Sequence, residues 1–253
     1  MRATQFILAS GSALCAFALA PAMAGEAVTY EADGNSYEGY YAPASEESRG
    51  LVLVIHDWDG LTEYEQERAD MLAEMGYHAF AVDLYGAGNR PETTEARQAE
   101  TARLYEDREL MRALITAGLE AARGEAGDGP AVVMGYCFGG AGVLEMARSI
   151  DAENIAGYAT FHGTLETPEG QAYDGDTAPI LISHGGADTS VPLSDAVTLT
   201  EELEEAGVTY ELEVYSGAPH AFTVFGSDRY RELADETSWT SFTNFLERNL
   251  ADG

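Results

Sequence analysis

The sequence predicts an α/β fold, with a mostly parallel central sheet and helices on both faces. Three observations carry this. Short, continuously apolar runs rich in β-branched residues read as buried strands. Stretches of helical periodicity separate them, and such alternation implies parallel pairing through crossovers. No internal repeat and no dividing linker is visible in the 253 residues, so residues 25–253 are expected to form one domain.

The elements follow in order. Residues 27–43 alternate around Asp33-Gly34-Asn35, the pattern of a hairpin at a sheet edge. Residues 51–55 (LVLVI) form a buried strand, 63–75 a helix stopped by Gly76, and 78–82 the next strand. Residues 92–123 read as one long charge-laced helix ending at Gly124. Strands are expected at 131–134, 155–161, 180–182 and 210–215, and helices at 141–150, 194–206 and 236–250. The loop 162–178 is the longest irregular stretch of the second half, either a rim over a site or a surface loop.

Composition excludes several function classes. The chain has 44 Asp+Glu against 13 basic residues, all of them Arg, for a formal net charge of −31. Nucleic-acid backbones and anionic membrane surfaces are held by basic clusters, and none is present. A hydrophobic fraction of 45% argues against disorder, so the acidity reads as a solvated surface. Arg2, the apolar run Phe6–Ala20, Pro21 and Ala22-Met23-Ala24 have the layout of a secretory signal peptide cut after Ala24. A secreted or periplasmic location is expected, and the mature chain then has one cysteine, Cys137.

That cysteine sits in Gly135-Tyr136-Cys137-Phe138-Gly139-Gly140, between a buried strand and a helix. This is the setting of a nucleophile elbow, where flanking side chains would collide with the neighbouring strand and helix. The helix N-terminus should favour a thiolate. Asp188 follows the strand 180–182 and His220 follows 210–215, giving the chain order nucleophile, acid, His. Both lie at strand carboxyl ends, where sites of open α/β sheets form.

Gly-Tyr-Cys-Phe-Gly-Gly, Asp83-Leu84-Tyr85, the Gly185-to-Pro192 loop and Pro219-His220-Ala221-Phe222 resemble the dienelactone hydrolase family of α/β-hydrolases. The resemblance spans about residues 27–250. It implies an α/β-hydrolase fold and a carboxylic ester hydrolase that opens small esters or lactones through a cysteine acyl-enzyme. Carried over, Cys137 is the nucleophile, His220 the base and then acid, and Asp188 the residue that orients the imidazole. The oxyanion donors are the backbone N–H groups of Phe138 and Trp58. Asp57 matches an acid that contacts the thiol and controls its ionisation; the family usually has Glu there, an arm one methylene longer. Val224 stands where the best-known member has a carboxylate-binding Arg, so an anionic substrate is not implied. Arg97, Arg103 and Arg108 lie in the helical stretch, where a wet face is expected.

Tyr85 and His162 are expected on the pocket wall, whereas His56, His78 and His184 read as structural. No His or Cys pair has metal-ligand spacing, so no metal and no organic cofactor is expected. A monomer acting on a small molecule is the expected state. An alternative is a catalytically silent binding protein on the same fold, motivated by Asp57 and Val224 and opposed by the complete triad.

Overall fold

The computed structural model describes residues 25–45, 47–149 and 153–250. The expected signal segment lies outside them. Eight strands, β1 (Glu26–Ala32), β2 (Asn35–Ala42), β3 (Leu51–Ile55), β4 (His78–Val82), β5 (Ala131–Tyr136), β6 (Ile155–Phe161), β7 (Ile180–Gly185) and β8 (Tyr210–Tyr215), form one sheet. Its order is β1-β2-β4-β3-β5-β6-β7-β8. The N-terminal hairpin joins antiparallel, and β4 through β8 pair in parallel. The hairpin turns at Asp33-Gly34, both at positive φ.

Alternate residues of each central strand serve opposite faces. Leu51, Leu53 and Ile55 of β3 belong to the core on the face covered by α2 (Thr94–Glu106), α3 (Arg108–Ala126), α4 (Phe138–Ala147) and α5 (Leu193–Ala206). Val52 and Val54 pack with α1 (Glu63–Glu74) and α6 (Glu232–Leu250). Both faces are thus dry, which is why the strands read as unbroken apolar runs.

Several boundaries differ from the sequence reading: α4 spans Phe138–Ala147 rather than 141–150, and β5 and β7 run on to Tyr136 and Gly185. The stretch 92–123 is two helices rather than one, broken at Asp107 (φ −119°, ψ 84°). Its carboxylate accepts from the Leu110 N–H at 2.9 Å, so an N-cap replaces a helical turn there. Helix α6 starts one turn early, at Glu232. The loop 162–178 is anchored, with Leu165 and Tyr173 buried in the core. Arg148 holds Gln171 and the Tyr173 hydroxyl at 2.7 and 2.8 Å.

Candidate active site

The site is built where the carboxyl ends of β3, β5, β7 and β8 meet. Cys137 joins β5 to α4 at φ 50°, ψ −109°, a conformation L-residues rarely adopt. The turn is possible because its glycines let backbone touch backbone. A Cβ on Gly139 would stand 2.3 Å from the Ile55 carbonyl oxygen, and one on Gly135 2.4 Å from that of Gly139. The cysteine N–H is held by the Phe161 carbonyl at 3.1 Å.

The three residues that sequence order singled out come together. His220 Nε2 lies 3.1 Å from Cys137 Sγ, and Nδ1 lies 2.8 Å from Asp188 Oδ2. The other Asp188 oxygen accepts from the Ser190 and Val191 N–H groups at 2.8 and 2.9 Å. Burial alone would raise this carboxyl, but the His220 hydrogen bond and the two N–H groups outweigh it and hold it below its ordinary range.

The loop after β3 carries a second carboxyl with the opposite character. Asp57 is 7% exposed and lies near enough to Cys137 for its charge to act on the thiol. Burial, and next the nearby Asp59 charge, push it up to about 6, against the pull of the Trp58 N–H. The thiol is itself raised well above its ordinary value, first by burial and then by Asp57. Desolvation and the adjacent carboxylate thus oppose the thiolate that the helix N-terminus favours.

The two expected oxyanion donors stand differently. The Phe138 N–H, in the first turn of α4, faces the cysteine sulfur. The Trp58 N–H is already engaged, donating to Asp57 Oδ1 at 2.5 Å. An incoming carbonyl oxygen has to displace that carboxylate to use it.

Buried groups hold this loop from below. His56 Nε2 accepts from the Leu84 N–H at 3.2 Å, so its Nδ1 carries the proton and donates to the Asp57 carbonyl at 2.6 Å. The Tyr85 hydroxyl donates to the Trp58 carbonyl at 3.1 Å. Tyr85 is 6% exposed and packs edge-on to His56, so it supports the loop. Sequence reasoning passed over Glu65. It closes a capping box with Thr62 at the start of α1 and also accepts from the Asp57 N–H at 3.2 Å. The Thr-x-x-Glu spacing was the available signal.

His162, the other expected wall residue, is completely buried beneath His220 at φ 41°. Of the arginines, Arg97 lies over the Trp58 ring with its guanidinium 3.6 Å from Asp59. Arg103 pairs with Glu100 and Arg108 with buried Glu145. Among the described residues, no three or more His, Cys, Asp or Glu side chains converge as metal ligands would.

Comparison with known proteins gives a consistent picture. The family model "Dienelactone hydrolase family" matches residues 38–250. A Bradyrhizobium protein named as a 2-oxo-3-(5-oxofuran-2-ylidene)propanoate lactonase is 27% identical over 211 residues, covering 79% of this chain and 84% of its own length. A Yersinia pestis protein named as a carboxymethylenebutenolidase is 26% identical, covering 93% and 88%. The solved structure named m3DLH superposes with a TM-score of 0.81 at 28% identity, over 90% of this chain and 99% of that one. A dienelactone hydrolase-like promiscuous phosphotriesterase from metagenomic libraries, P91, gives 0.79 at 26% identity, over 89% and 98%. With the fold, the elbow and a family match spanning most of its length, the chain belongs to the dienelactone hydrolase family.

Proposed function

We propose that the protein hydrolyses small neutral esters or lactones through an acyl-enzyme on Cys137. The observation that carries this reading is the unbroken contact Sγ–Nε2, Nδ1–Oδ2 at a strained elbow. The thiol rests protonated beside the Asp57 carboxylate. When a carbonyl carbon approaches, His220 Nε2 takes the thiol proton and sulfur forms the C–S bond. The oxyanion is held by the Phe138 N–H and by the Trp58 N–H, once Asp57 gives the latter up. Asp188 stays ionised and stabilises the imidazolium, which then protonates the leaving alcohol or ring oxygen. Water, deprotonated by His220, releases the acid and regenerates the thiol.

Neutral substrates are favoured by the local charge. Asp57 and Asp59 both act on the sulfur, while Arg97, Arg103 and Arg108 are already paired with carboxylates. The test is a panel of short-chain aryl esters, neutral lactones and carboxylate-bearing lactones, with wild type and Cys137→Ala. Turnover of neutral compounds by wild type alone is expected. Equal turnover by both proteins, or by neither, sinks the reading.

The engaged Trp58 N–H favours one rival, a silent protein that binds without turnover. In that case His220→Ala would leave iodoacetamide alkylation of Cys137 unchanged. The hydrolase reading expects it to slow. The protein is also read as exported. N-terminal sequencing of protein recovered from cells is expected to begin at Gly25, and an intact Met1 would contradict export.

A further inference from the structure

A buried polar chain runs beneath the triad histidine without touching the sulfur. His220 lies in a segment with no regular structure, and its neighbour Ala221 sits at φ 61°. Such a segment needs external anchors to hold an imidazole in line. The anchor is Thr223, three residues on and 1% exposed. Its hydroxyl is shared between the Tyr64 hydroxyl at 2.7 Å and His162 Nε2 at 2.8 Å. Its carbonyl accepts from Arg68 at 2.9 Å, and Arg68 also pairs with buried Asp235. Arg68 Nε donates to the Tyr64 oxygen at 3.4 Å. A guanidinium can only donate, so the Tyr64 oxygen accepts from Arg68, and the Thr223 hydroxyl bridges Tyr64 to His162 Nε2. The free edge of this chain is the His162 ring, 5.4 Å from the His220 ring and tilted 65° to it.

We propose that His162 and Thr223 are positioning residues that fix the His220 imidazole against Cys137, with Arg68–Asp235 pinning them from below. This rests on the triad reading above. The rigid stop matters because the imidazole must hand its proton on without tilting off the sulfur. Misplacement of about 1 Å in such a constellation costs roughly 10²-fold in rate. His162 can serve only as a neutral ring. It is fully buried, and burial and then His220 hold it well below its ordinary value, opposed by Asp188. A second cation there would repel the imidazolium that forms on His220. The charged or titratable groups facing it are His220, Asp188 and Arg68, with the Tyr136 ring also packed against it.

The test compares Thr223→Val, Thr223→Ser and His162→Phe for ester hydrolysis, with Cys137→Ala as baseline. Circular dichroism melting checks folding. Thr223→Val and His162→Phe are expected to lower kcat roughly 10- to 100-fold with KM within about threefold. Both should broaden the acid limb of the kcat–pH profile, and Thr223→Ser should restore kcat to within about threefold. Wild-type kcat and pH profile in folded Thr223→Val, or no rescue by Thr223→Ser, overturns the proposal. Should Thr223→Val not fold, His162→Gln is read by the same criteria. A Cys137→Ala protein as active as wild type would instead overturn the triad reading, so the two failures are distinguishable.

Discussion

Two loops each bring an aspartate to the same cysteine–histidine pair and give it opposite properties. In the loop after β7, Asp188 is met by a histidine and two backbone N–H groups, and its carboxyl is held below the usual range. In the loop after β3, Asp57 is met by one N–H, a thiol and the charge of Asp59, and is pushed up to about 6. Both side chains have little exposed surface, but Asp57 lies deeper, and burial is the largest cause of its rise. What also differs is the number of donors aimed at the carboxylate and the sign of the nearest charge. Splitting two equivalent acids in this way separates a fixed charge from an adjustable one.

Removing the fixed charge is expected to have the largest effect. Asp188→Asn keeps the shape but loses the charge that orients and stabilises the imidazole. A fall in kcat of roughly 10³–10⁴-fold is expected in a steady-state ester assay. A fall under tenfold would mean that Asp188 is a turn residue only.

Removing the adjustable charge should act in the other direction on the thiol. Asp57→Asn takes away the carboxylate that raises Cys137, so iodoacetamide alkylation at pH 7 should quicken by about tenfold. Slower alkylation would show that Asp57 serves as the thiol's base. The same variant tests linkage. A carboxyl raised from 3.8 to about 6 binds its proton more tightly in the folded state. Stability is therefore lost as pH rises from about 4 through 6. At pH 7 Asp57→Asn should gain on the order of 2–3 kcal/mol by chemical denaturation, and below pH 4 almost nothing. Glu65, buried beside Asp57 and raised to about 7, should extend the same loss of stability with rising pH toward neutrality.

The smallest effect belongs to Asp59, which acts on the site only through its charge. Asp59→Asn should move Cys137 alkylation in the same direction as Asp57→Asn, but only a few-fold. An effect as large as that of Asp57→Asn would undo the ranking of the two charges.

The contrast between the loops was only half legible in the sequence. Strands β3 to β7 were readable because both sheet faces are dry there and the runs are therefore largely apolar. Cys137, Asp188 and His220 were readable from chain order and flanking glycines. Their distances were not, because these depend on the sheet order. The Asp107 break was missed because charged residues continue on both sides, and one N-capping carboxylate redirects the chain. His162 was read as a wall because position after a strand does not say where a side chain points. At φ 41° it turns under His220. The capture of the Trp58 N–H by Asp57 involves adjacent residues, yet only the folded loop reveals it.

The most direct test of the cysteine mechanism is the mass of the enzyme during turnover. The protein is mixed with an aryl ester of a hindered acid, which slows deacylation, then acid-quenched, digested and weighed. The mechanism predicts one acyl group on the Cys137 peptide, released by hydroxylamine and absent from Cys137→Ala, which does not turn over. Steady turnover with no adduct on that peptide, and the same turnover by Cys137→Ala, would contradict it.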